Sequence, residues 1–236
     1  MAEIVVALDV PDRARALRLV DRLPALRWVK VGSLLMAARD GGPVLVHELA
    51  ERGLLVFLDL KWHDIPSTVA GAAAAARELG VRMATVHTLG GSAMMHAASE
   101  TAGSQLALVG VTVLTSHQEA DYAEITGRPS VRLLDEAARL AQSAMSSGLS
   151  GVVCSPLEIE RIRQRVGPHA LIVVPGIRRP GDSAGDQRRT ADPAEAVRLG
   201  ATHLVVGRPI LEAPDPGSAF EGFRQAAEAE GTTRRT

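Results

Sequence analysis

Leu54-Leu55-Val56-Phe57-Leu58-Asp59 is an apolar, β-rich run that stops at a carboxylate. After Lys61 and Asp64 the chain enters Ile65-Pro66-Ser67-Thr68-Val69 and an alanine-rich stretch to Leu79, then Gly80, then Met83-Ala84-Thr85-Val86-His87. The two outer runs have the length and composition of strands bounded by turn or charged residues. The middle stretch has helical spacing, a proline in its first turn and a glycine where a left-handed C-cap is expected. The unit therefore reads strand, helix, strand, and such a unit places its strands parallel through a right-handed crossover.

The same rhythm runs outward in both directions. Strands are expected at Ile4–Leu8, Arg27–Val31, Leu54–Asp59, Met83–His87, Leu106–Leu114, Gly151–Cys154, Leu171–Val174 and His203–Gly207. Helices are expected at Pro11–Leu23, Pro43–Arg52, Ile65–Leu79, Ser92–Thr101, Val131–Ser147, Leu157–Val166, Asp192–Leu199 and Ser218–Glu230. Gly53, Gly80, Gly103, Gly148 and Gly200 mark helix-to-strand returns. Eight repeats suggest closure into a (β/α)8 TIM barrel. An open doubly wound sheet is the alternative, but the first strand ends in Ala7-Leu8-Asp9 with no Gly-x-Gly-x-x-Gly after it. No Pro- or Ser-rich linker divides the chain, so residues 1–236 are read as one barrel domain with a frayed tail at Gly231–Thr236. Two stretches break the short-loop pattern. Thr115–Ser130 is a polar, partly helical insertion, and the glycine-rich, charged Gly176–Thr190 is a candidate lid.

A net charge of −1 gives no global field for nucleic acid or an anionic membrane. The single cysteine, Cys154, rules out an internal disulfide framework. The N-terminus lacks the marks of a secretory signal, and no apolar run approaches the roughly 18 residues of a spanning helix. A soluble, cytoplasmic protein is expected. One count is sharper: Lys30 and Lys61 are the only lysines, and the other 24 basic residues are arginines. Arginine serves for permanent charge, whereas lysine is compact and can release a proton.

Both lysines fall where a barrel of this type carries its chemistry, at the C-terminal ends of strands. Those ends read Asp9, Lys30, Asp59 with Lys61, His87, Thr115 with Ser116, Pro175 with Arg178, and Gly207 with Arg208. The two-residue spacing of Asp59 and Lys61 puts both on one face of an extended segment, with Leu60 turned into the packing. Alternating Lys30, Asp59, Lys61 and Asp64 would keep both lysines protonated and both carboxylates ionised. Asp64, just before Pro66, also suits a helix N-cap. At the eighth strand, Gly207 permits close approach of an anion and Arg208 offers a charged fork, with Gln187 and Arg188 on the presumed lid. His87 suits a packed, hydrogen-bonded core position at least as well as the mouth. The other histidines show no metal-ligand grouping, and Tyr122 and Cys154 lack a catalytic context. Ser116 has no base placed beside it and reads as a recognition hydroxyl.

Asp59-Leu60-Lys61-Trp62-His63-Asp64-Ile65-Pro66-Ser67-Thr68 resembles the signature Asp-x-Lys-x-x-Asp-Ile-Pro-x-Thr of the orotidine 5′-monophosphate decarboxylase family. Ala7-Leu8-Asp9, Lys30-Val31-Gly32, His87–Gly91, Val113–Ser116, Pro175–Arg178, Asp186–Arg188 and Gly207–Ile210 match in order, from about Ile4 to Ile210. The resemblance implies decarboxylation of the nucleotide to UMP with no cofactor and no metal, in a homodimer whose sites lie at the subunit interface. Lys61 would protonate C6, with Asp59 beside the departing carboxylate. Asp9 and Lys30 would bind ribose, with Lys30 also in the catalytic set. Ser116 would take the pyrimidine edge, and Gln187, Gly207 and Arg208 the phosphate. Thr115, Pro175 and Arg178 join the substrate-binding candidates. Asp64, Ile65 and Thr68 would enter the neighbouring subunit's site. The alternative is a Mg2+-dependent keto-sugar-phosphate decarboxylase or hexulose-phosphate aldolase with the same core. Ile65-Pro66 with Thr68, Thr115-Ser116 and Gln187 stand against it.

Overall fold

The computed structural model describes residues 2–179, 182 and 189–231. Strands β1 (Glu3–Ala7), β2 (Trp28–Gly32), β3 (Leu55–Trp62), β4 (Met83–His87), β5 (Ala107–Val111), β6 (Gly151–Val153), β7 (Leu171–Val174) and β8 (His203–Val206) pair parallel in chain order. The ring closes because β1 pairs with β8 as well as with β2. The expected (β/α)8 barrel is what forms.

Helices α1 (Arg13–Asp21), α2 (Ser33–Ala37), α3 (Gly42–Glu51), α4 (Pro66–Glu78), α5 (Gly91–Ala102), α6 (Glu119–Thr126), α7 (Leu133–Ser146), α8 (Ile159–Val166), α9 (Pro193–Leu199), α10 (Arg208–Leu211) and α11 (Pro216–Gly231) surround it. Local chemistry sets their ends. The Asp12 carboxylate accepts from the Arg15 N–H at 2.7 Å to start α1. Asp192 does the same for Ala194 at 2.9 Å, ahead of Pro193 in the first turn of α9. Gly80 and Gly200 take positive φ (81° and 116°) at helix-to-strand returns, where a side chain would be strained. Observed ends lie within a few residues of those expected; β5 stops earlier, at Val111, and β3 runs on to Trp62. α2 and α10 were not expected, and α6 is the helical part of the insertion after β5. None of the described helices is long and apolar enough to cross a membrane. Residues 232–236 of the expected tail lie outside the described residues.

Strand parity decides which side chains fill the barrel. Val5, Ala7, Trp28, Phe57, Met83, Val109, Val173 and Val205 form one buried cluster inside the ring. Their strand neighbours Val6, Val29, Leu58, Ala84, Leu108, Val152, Ile172 and Leu204 belong to a second cluster, between strands and helices. Continuing the inward parity toward the strand C-termini gives Asp9, Lys30, Asp59 and His87, so the packed floor leads directly to a charged mouth.

At the opposite end the His203 ring packs edge-on against Trp28, with centroids 5.2 Å apart. Burial pushes its imidazole down to about 4 from the ordinary 6.5, so the folded protein keeps it neutral where an unfolded chain would take a proton. A lowered value means that stability is present above the unfolded-state pKa and is lost as pH falls toward the folded one. His203→Gln should therefore lessen the stability lost between pH 7 and pH 5 by about 1–2 kcal/mol, measured by urea unfolding at both pH values. Equal losses in the two proteins would refute this role.

Candidate active site

The strand ends enclose a cavity of about 530 Å3. Asp9, Lys30, Asp59, Lys61, Thr115, Pro175, Arg178, Gly207 and Arg208 all line it, as the strand-end reading expects. Its floor is apolar, made by Phe57, Val111, Val153 and Val205.

The charges alternate along a hydrogen-bonded row. Lys30 Nζ donates to Asp9 Oδ1 at 3.0 Å and lies 3.6 Å from Asp59 Oδ2. Lys61 Nζ donates to Asp59 Oδ1 at 2.9 Å. Burial alone would push the Asp59 carboxyl up, but Lys30 and Lys61 outweigh it and hold the group below the usual carboxylate range. Asp59 is therefore ionised at any working pH and sits between two ammonium groups. Gly32 leaves the space for this folding: a Cβ there would stand 3.3 Å from Lys30 Nζ. Gly207, at the end of β8 beside β1, has φ at −112°, and a Cβ there would stand 3.8 Å from Asp9 Oδ2, so it borders the Asp9 end of the row without an unusual backbone conformation. The helix after it, α10, is only four residues long. Among the described residues, Arg208 brings the guanidinium to this wall of the cavity.

The structure changes two expectations. Asp59-Leu60-Lys61 is not a regular extended segment. Between Leu58 and Trp62 the strand advances four residues while β4 advances two, from Ala84 to Val86. Lys61 sits in this bulge with φ at 52°, and among the described residues no other non-glycine residue has positive φ. Leu60 still packs against the outer core, as expected. Nor does Asp64 join the charge row of its own chain: it is exposed, its carboxylate accepts from the Ile65 N–H at 2.6 Å, and Ile65 rather than Asp64 occupies the N-cap of α4. Asp9 takes the place that the expected alternation gave to Asp64.

Ser116, Ile65 and Thr68 are exposed and do not line the cavity of this chain. Gln187, with Asp186 and Arg188, lies outside the described residues. His87 settles into a structural position: its Nδ1 accepts from the Leu89 N–H at 3.3 Å and its ring stacks on His63 at 5.5 Å. Burial first, then nearby His63, Lys61 and His117, push it down to about 4, so it is neutral. Cys154 lines the cavity, but burial raises its thiol well above its usual value, leaving no thiolate. Two roles leave no trace in the sequence: the Thr85 hydroxyl beneath Asp59, and the structural pairing of Arg189, which the sequence offers only as a weak site candidate. The Arg189 guanidinium pairs with buried Glu158 and donates to the Leu114 carbonyl at 2.9 Å, tying the segment after β7 to the ends of β5 and β6.

The family model described as "Orotidine 5'-phosphate decarboxylase / HUMPS family" matches residues 2–223. The chain belongs to that family. A Moorella thermoacetica relative named orotidine 5′-phosphate decarboxylase is 48% identical over 97% of this chain and 92% of its own length. A Halorhodospira halophila relative of the same name is 49% identical, over 97% of both chains. The crystal structure of the Lactobacillus acidophilus orotidine 5′-phosphate decarboxylase superposes with a TM-score of 0.84 at 34% identity, covering 96% of this chain and 99% of that one.

Within this family frame Arg189 carries a checkable cost. Burial pushes Glu158 up and the Arg189 charge only partly offsets it. Arg189→Met should destabilise the fold by roughly 3–5 kcal/mol, because it leaves a buried carboxylate unpaired. Adding Glu158→Gln should recover part of that loss in urea unfolding. A double variant as unstable as the sum of the two singles would refute the pairing.

Proposed function

We propose that this protein decarboxylates orotidine 5′-monophosphate to UMP and CO2, and that Lys61 is its proton donor. The observation that carries the reading is the Lys61 ammonium, held 2.9 Å from the Asp59 carboxylate inside an apolar-floored cavity. The names of the close relatives support the substrate.

The chemistry suits these groups. Cleavage of the bond between C6 and the carboxylate carbon leaves its electron pair on C6, in the ring plane, while neutral CO2 departs. The Lys61 ammonium stabilises that charge, donates a proton to C6 and is reprotonated from water. Asp59 holds the Lys61 ammonium in place beforehand and, beside the substrate carboxylate, repels it until CO2 leaves. Lys30 and Asp9 present an ammonium and a carboxylate to ribose hydroxyls, and Arg208 beside Gly207 presents a guanidinium to phosphate. Binding energy from that remote phosphate can be used to hold the reacting end in place. Thr115, Pro175 and Arg178 line the same cavity and join the substrate-binding wall.

A homodimer fits the groups left outside the cavity. Asp64 pairs with no cation among the described residues, and Ile65 beside it is 63% exposed. Leu34 and Leu89, near the ends of β2 and β4, are exposed as well. A second subunit covering this rim would bury the apolar side chains and receive Asp64, Ile65 and Thr68. Free, buried Cys154 supports a reducing, cytoplasmic setting.

EDTA-treated protein should convert orotidine 5′-monophosphate to UMP at an undiminished rate, followed by absorbance and product identification. Turnover only with added Mg2+ and a keto-sugar phosphate would replace this reading with the metal-dependent lyases. Lys61→Ala should lower kcat by about 10²–10⁴-fold, the range of a lost general acid. Lys61→Ala and Asp64→Ala proteins, each strongly impaired alone, should regain activity when their subunits exchange. Proven heterodimers without activity would sink the shared site.

A further inference from the structure

Thr85 stands at the inward parity of β4, 1% exposed, and nothing in the proposed reaction uses it. Its hydroxyl makes two bonds that belong together. Oγ1 accepts from the Lys61 backbone N–H at 2.7 Å and donates to Asp59 Oδ1 at 3.1 Å. The bulge explains why the first is needed. Two extra residues on β3 break the ladder between Leu58 and Trp62, so the Lys61 N–H has no β4 carbonyl to meet. The threonine side chain supplies the missing acceptor, and this bond holds Lys61 at its positive φ. The same oxygen then fixes the carboxylate that receives the Lys61 ammonium. The backbone of the proton donor and the counter-ion at its tip are thus set by one hydroxyl on a neighbouring strand.

We infer that Thr85 is a positioning residue for proton delivery, seating the strained Lys61 backbone and aiming Asp59 so that the ammonium points to one place in the cavity. It touches no reacting atom; it acts through Lys61 and Asp59. The inference rests on the proposed decarboxylation, but the positioning itself can be observed without turnover.

Thr85→Val keeps the shape and removes both bonds, whereas Thr85→Ser keeps the hydroxyl. Misplacement of a reacting group by about 1 Å can cost on the order of 10²-fold in rate. Thr85→Val should lower kcat by about 10- to 100-fold, with KM and UMP affinity within about twofold of wild type, and Thr85→Ser should restore most of kcat. Should the valine variant not fold, Thr85→Ala gives the same split. In parallel, protein labelled with 15Nζ-lysine carries two side-chain signals, from Lys30 and Lys61. The Lys61 signal should move in Thr85→Val and return in Thr85→Ser. An unmoved Lys61 signal overturns the inference, whatever the kinetics. So does a moved signal with unchanged kcat in an active wild type. If the wild type converts no orotidine 5′-monophosphate, the decarboxylase reading fails by itself, and the signal alone decides whether Thr85 positions Lys61.

Discussion

Two ammonium groups cannot share one barrel mouth without a carboxylate between them. Like charges about 4 Å apart repel by about 4 kcal/mol at an effective dielectric of 20. Asp59 resolves this by facing Lys30 with one oxygen and Lys61 with the other. Asp9 extends the row by one more negative charge. The rest of the site follows from the need to bring these groups together from three adjacent strands. Inward parity delivers Asp9, Lys30 and Asp59. The β3 bulge delivers Lys61, and Gly32 leaves the room in which Lys30 can fold back to reach both carboxylates.

Much of this was legible in the residues themselves. Alternating strand and helix composition, with glycines at the returns, implied the barrel, because parallel strands and right-handed crossovers leave few other arrangements. The restriction of lysine to two strand ends pointed to the mouth before any contact was known. Other features left no such trace. α2 and α10 have five and four residues, too few for a helical period to register. The positive φ of Lys61 carries no signature, since lysine does not announce a left-handed conformation as glycine or asparagine would. The exposed position of Asp64 follows from how the chain turns into α4, which a spacing rule cannot resolve. Thr85 looked like one more β-branched strand residue, because its role depends on a register break in the strand beside it.

The two cations divide the work by geometry. Guanidinium groups act as struts where several carbonyls converge. Arg163 donates to the carbonyls of Gly167 at 2.6 Å, Ala170 at 2.9 Å and Gly200 at 2.7 Å, tying the turn before β7 to the turn before β8. Arg189 joins two carbonyls and a buried carboxylate at the other end of the barrel. A planar fork of donors suits such places and an ammonium does not. The ammonium is kept for the cavity, where a compact charge that can give up a proton is wanted.

That division leaves the protein's outer surface with little to offer electrophiles that seek lysine side chains. Acylating agents, aldehydes and isothiocyanates have only two lysine side chains to meet, both lining the cavity. Of these, Lys30 is 11% exposed at its side chain and Lys61 41%. The many arginines, protonated at any ordinary pH, do not compete for such reagents. Coupling this protein to a resin or a dye through its lysines would thus mark the cavity rather than the periphery, and occupancy of the cavity by a ligand would be read directly as protection.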